Sequence, residues 1–159
     1  MSGTENTKGR QFLGIIFVRL NKVLVSRNAR ESKSNNHVIV RKNCVWWLKK
    51  MYMNGFNIVI YTGMKEKNAN EVVNKMGIRK NIPEENFLLL TEKDLVIDGK
   101  FCTDAKKYLA MANNKFGPLT PEIVSFYDCE PLEGVKKIKN AVMYIVPVFI
   151  PHCRFSSNT

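Results

Sequence analysis

Apolar residues in this chain fall into short continuous runs separated by polar stretches, a pattern of buried strands rather than long amphipathic helices. Residues 12–20 (FLGIIFVRL), 56–61 (FNIVIY), 87–90 (FLLL), 123–127 (IVSFY) and 141–146 (AVMYIV) are such runs, and 37–41 (HVIVR) is a shorter extended piece. Between them lie helical patterns. One covers residues 44–53, with Asn43 as cap and Gly55 closing it; another covers 65–76, ended by Gly77. A third starts at a capping Asp104 and runs to about residue 113, and a fourth covers 132–139. Residues 95–102 (LVIDGKFC) read as a hairpin turning at Asp98-Gly99. Residues 26–36 are a polar loop, and 117–121 (GPLTP) break the third helix. The first eleven residues have no apolar anchor and are expected to form a flexible arm, with 12–150 as one domain and 151–159 as a tail. Strands alternating with helices predict an α/β fold. It has a mostly parallel sheet, helices on both faces and a small β-hairpin insert.

Composition narrows the class. At 159 residues, 45% of them apolar, the chain is long enough to bury a core without staples. No stretch approaches the run of ~18 apolar residues that a membrane span needs, so no membrane span is expected. The polar start, MSGTENTKGRQ, has no apolar segment of the secretory kind, and an intracellular location is expected, with no choice among cytoplasm, nucleus and mitochondrion. Cys44, Cys102, Cys129 and Cys153 show no zinc spacing and are expected to be reduced, packed thiols. The 25 Lys and Arg against 14 Asp and Glu give a net charge of +11, which favours polyanions through long-range attraction and counterion release. The basic residues are spread along the whole chain. Non-specific contact with RNA or with an acidic protein is therefore expected, without a sequence-reading module.

Several chemistries are excluded by their missing motifs. No phosphate-binding glycine loop or dinucleotide turn occurs. No cysteine is followed by arginine at the spacing a cysteine phosphatase uses, and His37 and His152 lie far apart in sequence with no Asp or Ser constellation beside them. Trp46 and Trp47 sit side by side on one helical segment, so one indole turns to the core and the other lies about a quarter-turn away; the pair is the candidate protein interface.

Four landmarks in order carry a family resemblance: the strand end Arg19-Leu20-Asn21-Lys22-Val23-Leu24-Val25, the segment VIVR before the first helix, the strand and turn NIVIYTG, and the strand end IVSFYDCEP. Together with DGKFCTD and the closing Asn140-Ala141 strand, they resemble the haloacid dehalogenase superfamily. The branch they resemble holds the phosphatases of the RNA polymerase II carboxy-terminal domain and the mitochondrial presequence-translocase subunit, the NLI-interacting-factor-like domain. The likeness spans about residues 12–149 and implies a Rossmann-like three-layer sandwich. In that family the first strand ends in D-x-D-x-T. The first aspartate attacks phosphorus, the second moves the proton, and magnesium is held between the first carboxylate and one after the later strand. Here those positions are Arg19, Asn21 and Val23. Arginine is a cation with no acceptor, and asparagine has no titratable proton.

The resemblance leaves some of the site in place. Thr62 and Gly63 match the phosphate-binding turn after the second strand, although Thr62 also reads as a helix cap. Asp128 matches the remaining metal carboxylate, and Cys129 replaces its partner. The family's lysine falls on Thr103, with Lys106 or Lys107 as amines one turn later, and Arg41 reads as a structural ion pair. Arg19 and Asp128 are expected to end adjacent strands, so the guanidinium could pair with the carboxylate in the metal's stead, the sharpest expectation the resemblance yields. The degenerate site implies no catalytic residue, no metal and no cofactor: a non-catalytic structural or binding subunit of a larger protein complex, a ribonucleoprotein or a mitochondrial assembly. Two alternatives remain open. One is a divergent magnesium-dependent phosphatase; the other is a phosphate or phosphopeptide reader using Thr62, Gly63 and Arg19.

Overall fold

The computed structural model describes residues 10–27, 38–117 and 120–151. Five strands form one all-parallel sheet: β1 (Gly14–Arg19), β4 (Phe56–Tyr61), β5 (Phe87–Leu90), β8 (Ile123–Asp128) and β9 (Ala141–Ile145). Their order is β5-β4-β1-β8-β9. The chain builds outward from β1 on one side, then crosses to the other, and such a reversal leaves a crevice at the carboxyl tips of β1 and β8.

Alternation along the strands divides the core. Ile16 and Val18 of β1 join Ile58 and Ile60 of β4 on one face, covered by α1 (Cys44–Met53) and α2 (Glu66–Met76). Ile15 and Phe17 join Val59, Tyr61, Val124 and Phe126 on the other, covered by α5 (Ala105–Phe116). Burial on both faces is why these strands read as unbroken apolar runs. Gly14 is required by crowding, since a Cβ there would stand 2.0 Å from the Ile123 carbonyl oxygen of β8.

The expected α/β sandwich is present, with element-level differences. β1 is shorter than residues 12–20, and α5 runs three residues past 113, to Phe116. Ser26 is not in a loop: β2 (Val25–Arg27) pairs antiparallel with β3 (Val38–Val40), which lies within the extended piece expected over 37–41. Residues 28–37, including His37, lie outside the described residues, as do 1–9 and 152–159 with His152 and Cys153. Arg10 does not belong to a free arm. Its guanidinium stacks 4.5 Å from the Tyr52 ring centre, donates to the Tyr52 carbonyl and lies 3.3 Å from Asn57 Oδ1.

Asn43 precedes α1 in a left-handed conformation and makes no side-chain cap. The short helices α3 (Ile78–Asn81) and α4 (Glu92–Leu95) add turns on either side of β5, and the Asp94 carboxylate accepts the Thr91 N–H at 2.9 Å. The hairpin is β6 (Val96–Ile97) and β7 (Lys100–Phe101), with positive φ at both Asp98 and Gly99, as a two-residue turn of this hand demands.

The largest departure is the expected helix over 132–139. Only a 3-10 turn, Val135–Lys137, forms there. The Glu133 N–H donates to the Thr103 carbonyl and the Glu133 carbonyl accepts from the Ala105 N–H, both near 2.9 Å, which ties this segment to the start of α5. Gly134 then turns with φ of 78°, leaving too few residues before β9 for a stable helix. β9 is the outer strand of the sheet beyond β8, and Val142, Tyr144 and Ile145 are exposed. Among the described residues no helix is long and apolar enough to cross a membrane.

Candidate functional site

The tips of β1, β4 and β8 meet around a cavity of about 260 Å³ lined by Arg19, Asn21, Tyr61, Thr62, Gly63, Phe101, Thr103, Tyr108, Asp128 and Glu130, with Pro131 and Leu132 at its edge. Parallel register sets Arg19 beside Tyr61, and β8 delivers Asp128 from the opposite side. After Arg19 the chain coils tightly: the Leu24 and Val25 N–H groups both return to the Leu20 carbonyl, and Lys22 takes a left-handed φ of 73°. This coil turns Asn21 into the cavity and sends Val23 into the apolar core.

Arg19 Nη1 lies 3.2 Å from Asp128 Oδ1, with the arginine side chain 21% exposed and the aspartate 5%. The pair expected from strand order is thus formed. Asp128 has further partners: Oδ1 accepts the Glu130 N–H at 3.1 Å, and Oδ2 accepts the Tyr61 hydroxyl at 2.8 Å. Arg19 Nη1 also reaches Cys129 Sγ at 3.6 Å. Burial, and then the charge and hydrogen bond of Asp128, push the Tyr61 hydroxyl far above the ordinary tyrosine range. Burial likewise raises the Cys129 thiol. The carboxylate is held by one cation and two hydrogen-bond donors, which is how a buried charge is kept at tolerable cost.

Thr62 is buried, donates to Asn21 Oδ1 at 3.0 Å and accepts the Met64 N–H at 3.2 Å. It does not cap α2, whose N-terminal neighbour is Lys65; its hydroxyl closes the turn instead. Thr103 reaches Glu133 at 3.2 Å. Neither Lys106 nor Lys107 lines the cavity, so the amine allowed for by the sequence is not supplied there, and Arg19 is the cation among the lining residues. Among the described residues Arg41 makes no ion pair either: it donates to the Val23 and Pro147 carbonyls and covers the Phe149 ring.

Tyr61, Tyr108, Phe101 and Glu130 were not singled out by sequence. The Tyr61 and Tyr108 rings pack 4.7 Å apart, and Tyr108 donates to the Cys102 carbonyl at 2.6 Å. Phe101, from the hairpin, overlies the turn at Gly63, where an added Cβ would stand 3.3 Å from its ring. In the sequence these aromatics look like core residues; the available signal was the position of Tyr61 at a strand end level with Arg19.

The residues do not fit a divalent cation of the kind the family's chemistry uses. One carboxylate of the expected pair is present as Asp128, its partner is Cys129, and the guanidinium of Arg19 stands against it. Among the described residues no three of His, Cys, Asp and Glu gather as a metal-ligand group.

A five-stranded parallel sheet in this order, with a polar crevice at its reversal point, defines the chain as a doubly wound, Rossmann-like α/β sandwich. A narrower assignment follows from comparison: residues 14–116 match the family model of the NLI interacting factor-like phosphatases, and the chain belongs to that family. The matched stretch includes Arg19, Asn21, Thr62 and Thr103 and ends before Asp128. In fold the chain is similar to the crystal structure of an uncharacterized protein from Listeria monocytogenes serotype 4b. The TM-score is 0.56 at 16% identity, over 87% of this chain and 88% of that one. Comparison with curated proteins gave no match.

Proposed function

We propose that this chain is a phosphatase-family domain that has lost phosphoryl transfer and acts as a non-catalytic structural or binding subunit of a larger assembly. The observation that carries this reading is the Arg19–Asp128 pair. A cation stands where a nucleophilic carboxylate is required, and it occupies the remaining carboxylate as well. Asn21 cannot exchange a proton, and its Oδ1 accepts from Thr62.

The basic balance suits a ribonucleoprotein. The resemblance to a presequence-translocase subunit suits a mitochondrial assembly. The alternative of a phosphate reader is weakened by the same geometry, because an anion entering the cavity meets Asp128 and Glu130 together with an arginine already paired.

The test is release of phosphate from p-nitrophenyl phosphate with and without magnesium. No turnover above buffer is expected. Magnesium-dependent release that disappears in Asp128→Asn would return the chain to the working phosphatases. The subunit half of the reading is tested by sizing the endogenous protein in moderate salt. It is expected to elute in a large complex, and elution as a free monomer counts against it.

A further inference from the structure

The strand-tip cavity leaves unused an apolar groove of about 380 Å³ on the α1 side of the sheet. Val18, Val23, Leu24, Cys44, Trp47, Tyr127 and Val146 form much of its lining, and Arg41, Lys42 and Trp46 complete it with Asn43. Trp46 is 62% exposed, a large apolar surface to leave in solvent. The Lys50 amine lies 5.4 Å from the centre of its ring.

Among the described residues that line this groove, the charged ones, Arg41 and Lys42, are both cations. Residues 32–65 and 134–159 contain no Asp or Glu, and these two stretches supply α1 and β9 with the segment that follows it. They meet at the groove through the Trp47–Tyr127 and Tyr127–Tyr144 ring contacts and through Arg41, which covers Phe149. Asp128, which follows Tyr127 in the chain, is paired with Arg19 at the other cavity.

We propose that this groove is the docking site for an acidic protein segment that carries apolar anchor side chains. The anchors enter between Trp46, Trp47 and Tyr127, and the segment's carboxylates face Arg41, Lys42 and Lys50. A hydrophobic centre with a charged rim is the arrangement in which a few buried anchors supply affinity and the rim supplies approach rate and selectivity. A single-stranded nucleic acid would need free ring faces for base stacking. Here Tyr127 is packed by Trp47 edge-on and by Tyr144 face-on, and Lys50 lies over Trp46. A second copy of the chain would bring like charge to like. The inference does not depend on whether the strand-tip site is silent.

The protein reports on this site without a label, because Trp46 and Trp47 are its two tryptophans. The full chain is titrated with a short synthetic peptide of Leu and Phe among Glu and Asp while tryptophan emission is followed. A saturable blue shift is expected, with affinity falling as salt rises. Trp46→Ala, read through Trp47, is expected to weaken binding at least about tenfold, as removal of an exposed aromatic anchor does. Lys42→Glu is the second variant should Trp46→Ala fold poorly, and it is expected to weaken binding in the same direction. Lys67→Glu, on the exposed side of α2, is expected to leave binding unchanged. The proposal is overturned by an absent shift, or by equal binding of a peptide whose Leu and Phe are replaced by Ser. It is equally overturned if an RNA oligonucleotide gives the shift and the acidic peptide does not, or if the shift tracks self-association in sedimentation.

Discussion

Replacing one residue at the tip of β1 changes what the neighbouring residues can do, and Asp128 shows how. Its side chain is almost fully enclosed, so removing Arg19 leaves a carboxylate with only two uncharged donors. Arg19→Ala is expected to destabilise the fold by about 2 kcal/mol, below the ~3–5 kcal/mol of a fully enclosed pair because the arginine is partly solvated. Equal melting temperatures for the two proteins at neutral pH would refute this. Tyr61 gives a second handle. Its pKa is raised in the folded chain by burial and by Asp128, while in the unfolded chain it ionises near ~10. Below that pH neither state has released the proton and the contribution is complete. Above it the unfolded chain loses a proton that the folded chain keeps, so stability falls by up to ~1.4 kcal/mol per pH unit for this group. Thermal melts between pH 9 and 11 are expected to show a shallower decline for Tyr61→Phe than for the parent protein. The variant starts about 1 kcal/mol lower at neutral pH because Asp128 loses a donor.

At the scale of elements, what the sequence disclosed depended on how much of each element's stability is local. The runs FNIVIY and FLLL are covered on both faces and were bounded correctly as β4 and β5, and α1 kept both of its expected ends. Of the ribbon, β3 was legible within the extended piece 37–41, whereas β2 and the pairing were missed, because a three-residue piece gains its order from its partner. The helix over 132–139 was overread: its apolar spacing was adequate, but Glu133 is claimed by Thr103 and Ala105, contacts distant in sequence that no local pattern encodes. At the site, Arg19, Asn21, Thr62 and Asp128 were legible through the family's motif, whereas Tyr61 and Tyr108 were not, since an aromatic that donates to a polar partner has the same sequence signature as one that only packs. Gly14 holds β1 and β8 at their spacing, so Gly14→Ala is expected to cost about 1–3 kcal/mol through overpacking, measured by chemical denaturation. A cost near zero would mean that β8 yields easily.

For the whole molecule, the short turn before β9 sets the behaviour in solution. A parallel sheet ordinarily has its flanks covered by crossover helices. Here the last crossover contributes only the Val135–Lys137 turn, and Val142, Tyr144 and Ile145 stay in contact with solvent. Among the described residues no strand pairs the outer side of β9, and such a margin offers its backbone groups to any passing strand. What opposes that in the isolated protein is a net charge of +11, which acts over about 10 Å at 0.1 M salt and about 3 Å at 1 M. Light scattering is therefore expected to rise as salt is added, and Tyr144→Lys is expected to suppress the rise; indifference to salt would contradict the account. On this account colloidal stability is expected to rest on mutual repulsion where a covering helix would otherwise provide it, and dilute, low-salt buffers are the conditions under which the chain should keep best.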